Sequence, residues 1–292
     1  MKKFLITAFL IFSMAVPSFA QGDNIDQKLL NIGLFATTEQ DDQKDIEKLF
    51  KNQSKYANSQ NMKKLRAAYS DSYHNFDGLS YEDFFKMIEE TWNLYKNLKY
   101  ETTIKNITIN GIYANVEAIE SAKGITKEIG ETTKQNGNIS SESKVIYNLQ
   151  KFGKTWKITS DNVLSEQTFL LYGEANNIAM DLSTPSQVSQ GEQYNVVFDV
   201  KIPAGCYALG SITSEDIIYP QKPPKEVFRN VKPDIALERV LTSNKNNHNE
   251  YAIASVGLTK PNITKDNEIH IDIVGMGFLM NRVNVLPLSK GK

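Results

Sequence analysis

The stretch Ser140–Val163, SSESKVIYNLQKFGKTWKITSDNV, decides how this chain is read. Ser140 to Lys151 reads as one strand, Phe152-Gly153-Lys154 as a short connection, and Thr155 to Val163 as the antiparallel return. Upstream, a polar loop from Thr126 to Asn138 separates this hairpin from another. There Lys99 to Ile109 and Ile112 to Ile125 flank Asn110-Gly111, a pair suited to the two positive-φ positions of a type I′ turn. Four long strands in an antiparallel meander follow from this spacing.

Helices precede the strands. Ile46, Leu49, Phe50 and Ala57 fall on one face of a helix expected over 45–58. A second helix starts at the N-cap Asn61, with Met62, Leu65, Ala68 and Tyr69 in phase. The polar run Asp71 to Gly78 ends on an Asp-Gly turn signal. Ser80 then caps a third helix, and Asp83 takes the capping-box position three residues on. Tyr81, Phe84, Ile88, Trp92 and Tyr95 form its apolar stripe, the strongest in the chain.

Two short helices, the Tyr69 to Gly78 segment, a Ser-capped aromatic helix and four strands ending Lys154-Thr155-Trp156-Lys157-Ile158 together resemble the nuclear transport factor 2-like superfamily. Its last strand often reads "gkWkI", which Gly153 to Ile158 matches; the resemblance covers about Asp41 to Leu171. It implies a curved sheet wrapped around helices into a cone with an internal cavity. The superfamily holds isomerases, cyclases and dehydratases alongside members that only bind ligands or partners, so the resemblance alone selects no chemistry.

The second half changes character. Apart from Pro17, all eight remaining prolines lie between Pro185 and Pro287. Tyr194 to Ile202 alternates as a half-buried strand. Further strands are expected over 178–183, 206–212, 235–241, 251–258, 269–273 and 278–286, which suggests an immunoglobulin-like sandwich. Pro220 to Lys225 is too proline-rich for a central strand and reads as an extended loop. The fold class expected is therefore an α+β cone, three helices packed on a curved antiparallel sheet, followed by an all-β immunoglobulin-like sandwich. The expected divisions are residues 1–20, 21–44 (a polar lead-in), 45–172 and 177–288.

The first twenty residues have the layout of an export signal. Lys2 and Lys3 precede an apolar run from Phe4 to Val16, Pro17 breaks it, and Ser18-Phe19-Ala20 offers small residues for cleavage before Gln21. A run of about 13 residues is short of the roughly 20 a spanning helix needs. No Cys stands at the cleavage point for lipid attachment, and no later segment reads as a membrane span. The location expected is periplasmic or secreted. Removal of Lys2 and Lys3 with no acid takes the formal charge from −1 to −3, which disfavours a nucleic-acid partner. Cys206 is the single cysteine, so no intramolecular disulfide forms; it reads as a small buried hydrophobe in a strand.

Candidate chemistry is sparse. The three histidines, His74, His248 and His270, have no metal-ligand spacing, so neither a metal nor a cofactor is expected. His248 reads as part of a polar hairpin tip and His270 as solvent-facing on a strand. His74 has the one case for catalysis: an imidazole as base, Asp77 as its partner and Tyr73 as donor to an oxyanion. Tyr69, Trp92 and Tyr95 are candidates for lining a binding cavity. Two functions follow. The preferred one is an exported non-catalytic protein binding a small ligand or an envelope protein partner. The alternative is an exported isomerase, cyclase or hydrolase using His74, Tyr73 and Asp77 in the first-half cavity.

Overall fold

The computed structural model describes residues 39–263 and 268–288. The expectations for the export signal, and for the lead-in before residue 39, lie outside the described residues.

Helix α1 (Glu39–Asn58) begins six residues before the expected Asp45, with the acids Glu39, Asp41 and Asp42 in its first turn. Negative charge there complements the helix dipole. Asp42 also accepts from Trp156 Nε1 at 3.0 Å and pairs with Lys151. The Trp of the "gkWkI" motif thereby fixes the start of α1 to the sheet. Helix α2 (Met62–Arg66) is capped by Asn61, whose side chain accepts from Lys64 N. Helix α3 (Tyr81–Leu94) is capped as expected by Ser80, which accepts from Asp83 N. Tyr95 does not continue the α3 stripe. It already has extended dihedrals (φ −120°, ψ 150°) and opens the first strand.

Four strands follow: β1 (Tyr95–Asn110), β2 (Tyr113–Ile129), β3 (Asn136–Phe152) and β4 (Thr155–Gly173). They pair as an antiparallel meander. The first turn is shifted by one residue from the expected Asn110-Gly111. Asn110 pairs with Tyr113, so Gly111 (φ +60°) and Ile112 form the loop. Glycine thus takes the first central position, where a type II′ turn wants it.

The second half supplies β5 (Met180–Ser183), β6 (Gln187–Ser189), β7 (Gln193–Val200), β8 (Tyr207–Asp216), β9 (Arg229–Val231), β10 (Leu237–Thr242), β11 (Glu250–Ile263) and β12 (Ile269–Leu286). The segment Pro220 to Lys225 contains no strand. Cys206 is half-buried and lies just ahead of β8 rather than inside a strand.

The expected fold class is overturned. The chain is mostly β with few and short helices, and no three-helix cone is followed by a free-standing sandwich. One nine-stranded sheet runs through both halves in the order β1-β2-β3-β4-β12-β11-β8-β9, with β6 added in parallel to the end of β12. The junction is β4 against β12, from Gly173 beside Gly275 to Gln167 beside Asn281. The physical cause is length. Strand β4 runs ten residues past the expected Val163, and its outer N–H and C=O groups need partners that only another strand supplies.

Strand β12 replaces the two strands expected over 269–273 and 278–286. Gly275 is not a turn between them. A Cβ on it would meet Ala175 N at 2.7 Å, so the glycine permits close packing of an unbroken strand. A second, three-stranded sheet, β10-β7-β5, packs on the far end of the large one. Leu182, Val196, Phe198, Ala254, Leu258 and Leu279 share that apolar core. The other core joins the helices to β1–β4, through Ile46, Phe50, Phe84, Phe85, Val116 and Ile158.

Candidate functional site

Strand β2 buries Ala114, Val116, Ala118, Glu120 and Ala122 on the face beneath the helices. A side-chain period of two carries the glutamate inward with its apolar neighbours. The alanines on either side fill little volume, and a cavity of about 50 Å³ lies against Glu120. Gln53, Ser54 and Ala57 of α1, Met87, Ile88, Thr91 and Trp92 of α3, and Tyr100 and Thr102 of β1 complete much of its wall.

Hydrogen bonds hold part of this lining. Ser54 Oγ donates to Thr102 Oγ1 at 3.1 Å, and Thr102 Oγ1 donates to Glu120 Oε1 at 3.1 Å. Gln53 Nε2 donates to the Tyr69 hydroxyl at 2.6 Å. Three buried polar atoms of the lining, Gln53 Oε1, Glu120 Oε2 and Trp92 Nε1, make no hydrogen bond of ordinary geometry among the described residues. Glu120 is 4% exposed, and burial pushes its carboxyl up to about 7; the Tyr147 and Thr102 hydroxyls oppose the shift without cancelling it. Unsatisfied buried acceptors are rare in native structures and mark places where water, an ion or a ligand binds.

A second carboxyl lies deeper. Asp161 stands opposite Tyr147 in the β3–β4 register and accepts from the Tyr73 hydroxyl at 3.2 Å. Burial raises its pKa well above the ordinary value; the Tyr73 bond opposes this, and the charges of Glu120 and Asp77 add to it. Tyr69, packed edge-on against Tyr73 and Phe85, completes an aromatic interior around the two acids.

The three residues expected to act in catalysis do not converge. Tyr73 and Asp77 point inward, whereas His74 is exposed, with Nδ1 3.3 Å from Ser72 O. Alternation along an extended segment puts neighbours on opposite sides. Asp77 is committed elsewhere: its fully buried carboxylate takes Arg282 Nη2 at 2.7 Å, Nη1 at 3.1 Å and Asn249 Nδ2 at 2.8 Å. Among the binding candidates, Trp92 lines the cavity, Tyr69 stands behind Gln53, and Tyr95 is buried away from the lining. His248 is 3.2 Å from Asp216, and the exposed His270 is 3.5 Å from Glu268. No cluster of three His, Cys, Asp or Glu side chains suited to a metal occurs among the described residues. No helix among them is long and apolar enough to cross a membrane.

Sequence reading missed Gln53, Glu120 and Asp161. Glu120 carried a signal: an acid in phase with Ala114, Val116, Ala118 and Ala122 is a polar group on a buried face. Asp161 carried none, because its orientation depends on a bulge in β4.

No protein-family model matches the sequence, and no curated protein matches it. Solved structures give partial similarities. A scytalone dehydratase-like protein of Novosphingobium aromaticivorans aligns at a TM-score of 0.37 and 14% identity, over 42% of this chain and 83% of its own. A hexachlorocyclohexane dehydrochlorinase, LinA-type3 from Novosphingobium barchaimii, aligns at 0.37 and 13%, over 42% and 86%. A conserved protein from Planctomyces limnophilus aligns at 0.37 and 12%, over 42% and 95%. The dehydratase-like and LinA neighbours belong to the nuclear transport factor 2-like superfamily, which the sequence resembles, but at such TM-scores the likeness assigns this chain neither a family nor an activity.

Proposed function

We propose that this protein is exported and binds one very small, mainly apolar molecule in the partly open cavity between α1, α3, β1 and β2. The observation that carries the reading is a set of unfilled buried polar atoms, the acceptors Gln53 Oε1 and Glu120 Oε2 and the donor Trp92 Nε1, at an aromatic-walled cavity. Such a site combines apolar walls with a few polar groups that fix orientation. Export rests on the first twenty residues, and N-terminal sequencing of secreted material beginning at Gln21 checks it.

The test of binding is a fragment screen by thermal shift on the whole protein, repeated on Ala57→Phe, which fills the cavity from α1. A ligand at a hundred times its dissociation constant adds about 2.7 kcal/mol, a readily measured shift. Hits should vanish in the filled variant; hits that persist there refute the site.

The enzyme alternative keeps one specific support: a carboxyl held near neutrality at the cavity suits general acid–base work. In that reading Glu120 replaces the His74, Tyr73 and Asp77 set, which does not converge. Chemical change of a bound hit, lost in Glu120→Gln with binding retained, is the result that selects it.

A further inference from the structure

A second concavity lies on the face of the large sheet turned away from the helices. On that face β4, β12 and β11 are covered, and Phe169, Leu171, Ala254 and Leu279 join the core shared with the small sheet. Strands β1 to β3 are left open beside it, and a cavity of about 410 Å³ occupies the corner. Small-molecule sites are commonly of that size. It is separate from the cavity beneath the helices and does not depend on the reading given to that one.

Strand pairing sets its lining. Lys99 on β1 stands opposite Lys123 on β2, and Lys123 opposite Ser140 on β3. One row along, Ile125, Asn138 and Leu171 stand side by side on β2, β3 and β4. A bulge in β1 between Lys96 and Lys99 adds Asn97, held at φ +55°, where asparagine is tolerated better than most residues. Asn176, in the short helix Glu174–Asn177 after β4, closes the end and accepts from Asn138 Nδ2 at 2.7 Å.

Lys99 and Lys123 are the charged residues of this lining, and no acid is among them. Like charges directly opposite on an antiparallel pair are destabilising, so the two ammoniums are kept together against their repulsion. Neither forms an ion pair among the described residues. The acids nearest in register, Glu101 and Glu142, stand one row further on, outside the lining, and Glu174 Oε2 faces Cys206 Sγ at 3.9 Å.

We infer that this corner binds a small hydroxylated phosphate monoester, its dianionic head bridging Lys99 and Lys123. Such a group carries close to two negative charges and three acceptor oxygens, which match two ammoniums and the Ser140 hydroxyl. Asn138, with Nδ2 given to Asn176, offers Oδ1 to a hydroxyl of the ligand body, and Asn97 offers a second carboxamide. A carboxylate brings one charge and leaves the repulsion half compensated. A neutral sugar compensates none of it.

The experiment titrates glucose 6-phosphate, glucuronate and glucose by calorimetry into the whole protein, into Lys99→Gln and into Lys123→Gln. Glucose 6-phosphate should bind about fivefold more tightly than glucuronate, glucose should give no signal, and raised salt should weaken both anions. Either substitution should weaken the phosphate about fivefold. Each should also leave Tm unchanged or raise it, because the cross-strand repulsion is relieved. A lower Tm with unchanged affinity assigns the lysines to the fold and overturns the inference. No binding of glucose 6-phosphate, glucose binding as tightly as its phosphate, or binding that neither substitution weakens overturns it as well. Glucuronate binding as tightly as the phosphate overturns the dianion class.

Discussion

Glu120 in the first half of the molecule and Glu250 in the second are both buried, and the two are treated in opposite ways. Glu250, 2% exposed at the start of β11, has its oxygens taken: Asn244 donates from both backbone N and Nδ2 to Oε1, and Tyr194 donates to Oε2 at 3.1 Å. It ties the turn over 244–249 to β7. Glu120, 4% exposed on β2 beside the cavity, has one donor of ordinary geometry, Thr102, on Oε1 and none on Oε2. A fully satisfied buried carboxylate specifies structure, whereas a partly satisfied one is held at a cost that structure alone does not recover. The difference separates a carboxylate committed to holding a turn from the one on which the binding proposal rests.

Three measurements break or sharpen that contrast. The largest effect belongs to the ion pair that joins the halves. Arg282 and Asp77 have side chains with 0% exposure, so Arg282→Met strands a buried charge and should cost about 3–5 kcal/mol in urea unfolding. The double change Asp77→Leu with Arg282→Met should recover most of that loss. A cost below about 1 kcal/mol for the single change means the halves are not locked through this pair.

The next effect is pH-dependent and opposes the two glutamates. Burial raises Glu120 from its ordinary 4.5 to about 7, so the folded protein holds this proton more tightly than the unfolded chain. Its contribution to stability is complete below 4.5 and is lost as pH rises through about 7, on the order of 3 kcal/mol. Glu166, pushed up to about 8 by burial, adds a decline of the same sign that extends higher. Glu120→Gln should flatten the curve between pH 5 and 8 by about that 3 kcal/mol, while Glu250→Gln should lower stability by about 1.5–3 kcal/mol. Equal effects from both substitutions would erase the distinction. The smallest effect is at His74. It is exposed, away from both carboxylates, and His74→Ala should change stability by less than about 0.5 kcal/mol and leave probe binding intact.

Much of the local structure was legible because it depends on neighbours in sequence. Asn61 and Ser80 cap their helices through backbone N–H groups three residues away, and such contacts need no tertiary partner. The four-strand meander follows from alternation and short turns, although these do not place the first turn at Gly111-Ile112 rather than one residue earlier. The joining of the two halves was not legible. Nothing local tells a strand ending at Val163 from one continuing to Gly173, since the extra length is paired on one side with the start of β3 and on the other with β12, roughly a hundred residues on.

The site divides along the same line. Sequence alone determined the inward direction of Glu120, because β2 keeps its register through Ala114, Val116, Ala118 and Ala122 and a period of two has no other solution. Asp161 was decided by tertiary structure. Strand β4 pairs Ile158 with Leu149 and Ser160 with Asn148, which leaves Thr159 as an extra residue. Beyond that bulge Asp161 and Val163 face the core in place of Ser160 and Asn162, and a second extra residue, Leu164, turns Glu166 and Thr168 inward. One inserted residue reverses every later side chain, and its position is set by the fit of β4 to β3, which only the folded sheet determines.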